Sequence, residues 1–208
     1  MSNNPSDERS EGESPTSDQL DQADIKRLAS GDDAALNDLM GRHAVKLFHY
    51  LVRCLQNEED AADGAQKIFL SVYQNRAKFD ATRRFSTWLY AIASNLVKDC
   101  YRFRSRHPQV SLDAGNESSG EKLRDSLREG KPTPSESLQE AERAQAVRSA
   151  VMALPEELRI PLILFEYEEH SQVEIGEILD CSPKAVETRI YRARQQLRSS
   201  LGWLLEKS

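Results

Sequence analysis

"SQVEIGEILDCSPKAVETRIYRARQQLR", residues 171–198, reads as a helix, a short turn and a second helix. Ser171 and Glu174 have the S-x-x-E spacing in which a hydroxyl caps the helix start and a carboxylate reaches back to the cap. Val173, Ile175, Ile178 and Leu179 supply the inward side of that first helix. "DCSP" then interrupts it, with Ser182 placed to cap the second helix and Pro183 at its first position, where a missing N–H costs nothing. At about 100° per residue, Val186, Ile190, Ala193 and Leu197 share one stripe of the second helix. Lys184, Glu187, Thr188, Tyr191, Arg192 and Gln195 share the opposite stripe. Donors, acceptors and one aromatic on a helix face are the inventory that reads base edges in a major groove. Arg189, Arg194 and Arg198 flank that face, where phosphates would lie. The pattern is a helix-turn-helix with its second helix as reader.

Working outward, "PEELRIPLILFEYEE" forms another helix, in which Pro161 marks either a kink or the true start. Four helices are expected over 138–205. Residues 108–137 contain Pro108, Gly115, Gly120, Gly130, Pro132 and Pro134 and read as a flexible linker that lets its flanks move independently. From about Asp21 to Arg104 the pattern is helical almost throughout. Leu36, Leu39, Met40, Val45, Leu47, Phe48, Leu51, Val52 and Leu55 recur near the 3.6-residue period. Residues 1–20 have almost no apolar side chains and are expected to be a disordered acidic tail. No strand signal competes. The expected fold is all-α: two small helical domains, 21–107 and 138–205, joined by the linker.

The chain has 208 residues, 38% hydrophobic and 30% charged, with a net charge of −6. No apolar run approaches the ~20 residues that span a bilayer, and the polar N-terminus lacks a signal peptide's apolar segment. A cytoplasmic protein without membrane insertion is expected. Cys54, Cys100 and Cys181 are far apart with no C-x-x-C pair, which fits reduced thiols. Neither they nor the four histidines have zinc-ligand spacing, so neither metal nor cofactor is expected. The charge is segregated. Residues 1–24 carry a net −6, whereas 98–106 carry +3 and 183–198 carry +4. Two basic patches distant from an acidic tail point to a polyanion held at two places.

The first patch closes "RFSTWLYAIASNLVKDCYRFRSR", residues 84–106. Phe85, Leu89, Ile92, Leu96 and Cys100 form the expected buried stripe, with Trp88 and Ala93 at its borders. Arg84, Thr87, Ala91, Asn95, Lys98 and Arg102 form a separate ridge. Cations, an amide, a hydroxyl and a neighbouring aromatic suit single-stranded nucleic acid, by stacking and charge along the backbone. The preceding "KFDATRRF", with Phe79 and Arg83, is expected to be a loop that could wall a pocket for an extruded base. In the helix before it, Ala61, Ala65, Ile68 and Val72 face inward, while Asp63, Gln66, Lys67, Leu70 and Gln74 face outward. An exposed leucine among a carboxylate and amides is what a helix-docking interface looks like. No clustered carboxylates, ligand set or nucleophile–base pair supports an enzyme, so no catalytic residue is assigned.

"EDAADGAQKIFLSVYQNRAKFDATRRFSTWLYAIASNLVKD" resembles region 2 of the bacterial sigma-70 family, and "ALPEELRIPLILFEYEEHSQVEIGEILDCSPKAVETRIYRARQQLR" resembles its region 4. With a short linker and no domain between them, the chain is similar to the extracytoplasmic-function (ECF) subgroup over about residues 22–202. The resemblance implies a transcription initiation factor that binds core RNA polymerase and directs it to promoters. It implies docking of Asp60, Asp63, Gln66, Lys67, Phe69 and Leu70 on the β′ clamp helices; Lys67 stands where an acidic residue is common. It implies −10 recognition and melting by Phe79, Arg83, Arg84, Thr87, Trp88, Asn95, Lys98 and Arg102. It implies −35 duplex reading by Lys184, Glu187, Thr188, Arg189, Tyr191, Arg192 and Arg194, in a domain that also touches the β flap. Promoter DNA would thus be met both as duplex and as single strand. An anti-sigma factor is a further partner that the sequence does not identify. A conventional helix-turn-helix repressor is the rival reading. It would leave the Arg84–Arg102 ridge and the docking helix without work.

Overall fold

The structure, a computed structural model, describes residues 15–107 and 134–205, with side chains for 15–107 and 140–204. The described residues are helical and contain no strand. The helices are α1 (Ser17–Ala29), α2 (Ala34–Leu55), α3 (Glu58–Asn75), α4 (Phe85–Arg106), α5 (Pro134–Ala153), α6 (Glu156–Glu166), α7 (Gln172–Leu179) and α8 (Pro183–Leu205). A 3₁₀ turn, Arg76–Lys78, follows α3.

Local chemistry fixes the ends. Thr16 accepts from Gln19 N while the Gln19 side chain reaches back to the Thr16 N–H, a reciprocal cap that starts α1. Helix α1 therefore begins at Ser17, inside the stretch expected to be tail. Helix α5 begins at Pro134, inside the expected linker, and proline suits a first helical position. The remaining tail and linker expectations, 1–14 and 108–133, lie outside the described residues. Asn57 caps α3 by accepting from Asp60 N at 2.8 Å, and Glu58, Glu59 and Asp60 complement the positive end of its dipole.

Two cores result. Leu28, Leu39, Leu47, Leu51, Ile68, Val72, Phe85 and Leu89 are buried among α1–α4. Ile163, Ile175, Val186, Ile190 and Ala193 are buried among α6–α8. Gly64 faces this core, where an added Cβ would make ordinary contact with Leu51 Cδ1 at 3.4 Å and Leu96 Cδ2 at 3.5 Å. Asp21 ties α1 to α2 through Arg42 and His43, each at 2.7 Å. Burial alone would raise its carboxyl, but the His43 and Arg42 hydrogen bonds outweigh that and hold it below the usual range.

The two helix groups also pack on each other. Helix α6 buries every residue from Leu158 to Leu164, which a helix on a single partner does not do. One side meets α7 and α8 and the other meets α2 and α4, while α4 also lies on α7. In this structure the linker's flanks are therefore in contact, where the sequence leads one to expect independence. Pro161 lies inside α6 and marks no new start.

Candidate nucleic-acid interface

The helix-turn-helix is built as its sequence implies. Ser171 and Glu174 form the reciprocal cap of α7, with Ser171 N donating to Glu174 Oε2 at 2.8 Å. The helix ends on Asp180 in the left-handed region, at φ 52°. Cys181 N then donates to Gly176 O at 2.9 Å. A side chain at Gly176 would put its Cβ 2.7 Å from Cys181 O, so the turn needs glycine there. Ser182 accepts from Ala185 N at 3.2 Å to start α8. Val173 departs from expectation: it is 57% exposed, because Ile175 and Ile178 already fill the inward side.

On α8, Val186, Ile190 and Ala193 are buried, and Lys184, Glu187, Thr188, Tyr191 and Arg192 stand on the exposed side. The face is internally ordered. Lys184 pairs with Glu187 at 2.8 Å, Thr188 Oγ1 donates to the Lys184 carbonyl at 2.9 Å, and Gln195 donates to the Tyr191 hydroxyl at 2.7 Å. Arg194 points instead to Glu166 at 2.6 Å and lies over the Phe165 ring, tying α8 to α6. Arg189 is half-buried beside Cys181 Sγ at 3.5 Å.

The α4 surface is more complicated. Asn95 and Arg102 are exposed, Arg102 pairing with Asp99 at 3.2 Å, and Lys98 is half-buried. Trp88 is half-buried in an aromatic cluster, 5.2 Å from the Phe79 ring and 6.1 Å from Phe85. The loop before α4 is held in shape. Asp80 accepts from Thr82 N at 2.9 Å and from its hydroxyl at 2.7 Å, and Gln22 reaches Ala81 O at 3.1 Å. Those Thr82 hydrogen bonds keep the Asp80 carboxyl below its usual range. Arg83 is exposed, 3.9 Å from Asp80.

Two expected ridge members are engaged elsewhere. Arg84 is gripped between Asp18 of α1 and Glu174 of α7. Thr87 is not on an open surface. It is 3% exposed, one turn beyond Arg84. The buried stripe is also shifted: Phe85, Leu89, Ala93 and Val97 fill it, with Ile92, Leu96 and Cys100 only partly buried.

The outer face of α3 displays Asp60, Asp63, Gln66, Lys67 and Leu70, the leucine 55% exposed. Arg104 reaches Asp60 at 2.6 Å. Phe69 is not on that face. At 4% exposure it belongs to the core, because positions 61, 64, 68, 69 and 72 form the inward stripe of a 3.6-period helix.

The sequence reading missed the contacts between the helix groups. Glu168 accepts from Tyr90 Oη at 2.7 Å and from Arg53 at 3.0 Å. The His170 ring stands edge-on to Tyr90 at 4.7 Å, and Arg159 lies 4.3 Å over the Tyr101 ring. These partners lie far apart in the chain, and no local pattern marks them. Among the described residues no group of His, Cys, Asp and Glu could hold a metal ion, and no helix is long and apolar enough to cross a membrane.

The arrangement is that of an all-helical protein carrying a capped helix-turn-helix, with polar, basic faces on α4 and α8. Sigma-70 region 2 matches residues 39–107, and sigma-70 region 4 matches residues 144–197. The ECF RNA polymerase sigma factor SigW of Bacillus subtilis (strain 168) is 35% identical over 180 residues, 85% of this chain and 94% of that protein. The solved structure of CnrH in complex with the cytosolic domain of CnrY superposes with a TM-score of 0.64 at 27% identity, covering 88% of this chain and 97% of CnrH. The sigma factor RpoE of Bartonella quintana, solved with the anti-sigma factor NepR, shares the fold at 19% identity and a TM-score of 0.59, over 80% of this chain and 96% of RpoE. The chain belongs to the sigma-70 family, in its extracytoplasmic-function subgroup.

Proposed function

We propose that this ECF sigma factor divides its work among three surfaces: the outer face of α3, the α4 helix with its preceding loop, and α8. Its function is to bind core RNA polymerase and direct initiation at specific promoters. Asp60, Asp63, Gln66, Lys67 and Leu70 dock on the β′ clamp helices, with the leucine as the apolar anchor that a polar rim surrounds. Phe79, Arg83, Arg84, Trp88, Asn95, Lys98 and Arg102 receive the −10 element as it melts, cations taking phosphates and the aromatic and amide groups taking unpaired bases. Lys184, Glu187, Thr188, Tyr191 and Arg192 read the −35 duplex, with Arg189 at its margin. Glu187 accepts from cytosine N4 more readily than a basic residue could. The module spanning 138–205 also meets the β flap. An anti-sigma factor is a further partner, as NepR is for RpoE of Bartonella quintana.

The observation that carries this reading is the α8 surface. Its exposed donors and acceptors lie opposite a fully buried stripe, behind an α7 capped at one end and turned on Gly176 at the other. The protein performs no bond chemistry of its own in this account; the polymerase, in the cytoplasm, supplies it. Run-off transcription with purified core polymerase on a random-promoter library tests the proposal. Start sites absent with core polymerase alone are expected, and their absence would overturn it.

A further inference from the structure

Away from the seam between the two helix groups, the loop before α4 raises a question of order. Asp80, Ala81, Thr82, Arg83 and Arg84 are all exposed, so burial does not hold them. A loop without such support opens easily, and a yielding wall discriminates poorly between bases.

Hydrogen bonds supply the order instead. Asp80–Arg83 is a tight turn, closed by Arg83 N donating to Asp80 O at 3.0 Å. Its middle peptide joins Ala81 to Thr82, and both polar groups of that peptide are tied. Thr82 N donates to Asp80 Oδ1 at 2.9 Å, and the Thr82 hydroxyl donates to the same oxygen at 2.7 Å. On the other side, Gln22 Nε2 of α1 donates to Ala81 O at 3.1 Å. The first tie is local, since an aspartate heading a turn accepts from the N–H two residues on. The second links positions 59 apart in sequence and needs α1 to stand still.

Helix α1 is anchored for that. Arg42 of α2 holds Asp21 at 2.7 Å and Asp24 at 2.5 Å, and His43 holds Asp21 again at 2.7 Å. Asp18 and Gln22, one turn apart, reach the loop. Gln22 takes its turn, and Asp18 takes Arg84 Nε at its end, at 2.6 Å. At the loop's other end the Phe79 ring lies 5.2 Å from Trp88 and 6.2 Å from Phe85. With both ends fixed, the shape of the turn decides where Arg83 stands relative to the Phe79 and Trp88 rings.

We propose that Gln22 and Asp80 are positioning residues for −10 selection: they lock the middle peptide of the turn and so fix the wall against which an unpaired −10 base is received. The proposal rests on the reading of this loop and α4 as the −10 surface. Neither side chain needs to touch the base. A wall ordered in advance loses no affinity to its own ordering, and a fixed wall rejects bases that a yielding one accommodates.

The test uses the full-length chain with core polymerase on a promoter identified by run-off transcription. Its −10 positions are randomised one at a time and the transcripts counted by sequence. Asp80→Ala and Gln22→Met each remove one tie. Each is expected to lower the preference for the favoured base at one −10 position about fivefold, the worth of one hydrogen bond. Asp80→Asn loses the charge but keeps the acceptor and the turn, and should hold the parent preference. Gln22→Lys keeps a donor of similar reach and should do the same. Base preference at −35 and affinity for core polymerase stay at the parent values in all four. Unchanged preference in both Asp80→Ala and Gln22→Met would overturn the proposal. So would an Asp80→Asn chain as indiscriminate as Asp80→Ala, or preference lost at −35 as well. Trp88→Ala, which removes a ring from the surface itself, separates this outcome from the underlying reading. If Trp88→Ala blunts −10 preference while Asp80→Ala and Gln22→Met do not, the positioning role alone fails. If Trp88→Ala leaves that preference intact too, the loop and α4 are not the −10 surface.

Discussion

Helices α4 and α8 are nearly equal in length, both amphipathic and both basic along one side, yet they hold their polar faces differently. Helix α8 keeps Lys184, Glu187, Thr188, Tyr191 and Arg192 on an exposed side opposite Val186, Ile190 and Ala193. Helix α4 loses part of its polar ridge, with Arg84 clasped and Thr87 buried, while Tyr90 and Ser94 are buried too. The cause is the number of neighbours. The partners of α8 lie to one side, whereas α4 lies between α2 and α3 on one side and α6 and α7 on the other. A helical period says which residues share a face; it does not say how many faces are covered.

The largest expected effects ask whether the two groups are separate cores. Leu89 of α4 is fully buried and Ile190 of α8 is 3% exposed. Truncating either to alanine should cost about 2–5 kcal/mol. Scanning calorimetry of the full chain should then show two transitions, Leu89→Ala lowering one and Ile190→Ala the other. A single transition lowered by either change would mean that the seam fuses the groups into one cooperative unit, and the contrast between α4 and α8 would lose its basis.

How much was legible follows from the same contrast. The cap at Ser171, the turn at Asp180–Ser182 and the opposed stripes of α8 depend on residues within a few positions of one another, and local pattern reads them. On α3 the inward stripe keeps Ala61, Ile68 and Val72 as the period predicts, but takes Gly64 rather than Ala65 and adds Phe69. On α4 the apolar period points to Ile92, Leu96 and Cys100, because their side chains are the larger ones, yet these are only partly buried. Small Ala93 and Val97 in fact lie deeper. Glu168 and His170 carried no signal at all, since each acquires meaning only against Arg53 and Tyr90, distant in sequence.

Smaller effects separate the two DNA surfaces. Arg192→Ala should weaken −35 duplex binding by about 1–3 kcal/mol and relax specificity at one base position, read by competition binding against single-base variants. Unchanged specificity would remove Arg192 from the reading face. Asn95→Ala combined with Lys98→Ala should reduce promoter melting, measured by permanganate reactivity, while core polymerase binding stays near the parent value. Equal loss of both would indicate damage to the fold rather than to a strand-receiving surface.

The smallest effect expected is a pH dependence of the contact between the two helix groups, and its sign tests whether that contact differs from the exposed α8 face. His170 packs on Tyr90 with Glu174, Arg84 and Lys46 around it, and burial holds its imidazole below the ordinary value of 6.5 despite the pull of Glu174. The packed arrangement therefore keeps His170 neutral, whereas a solvated His170 takes a proton as pH falls through 6.5. Acidification from about pH 7.5 to about pH 6 should weaken the contact through His170, read as a larger radius of gyration in small-angle scattering. Glu168 works in the other sense. Burial raises its carboxyl from 4.5, so the packed arrangement is the better proton acceptor there and protonation of Glu168 favours contact. His170→Gln should therefore remove the loosening on acidification and leave −35 duplex binding through α8 unaltered. Were the loosening to survive in His170→Gln, the titrating group would lie elsewhere, and the contact would owe nothing to the imidazole buried against α4.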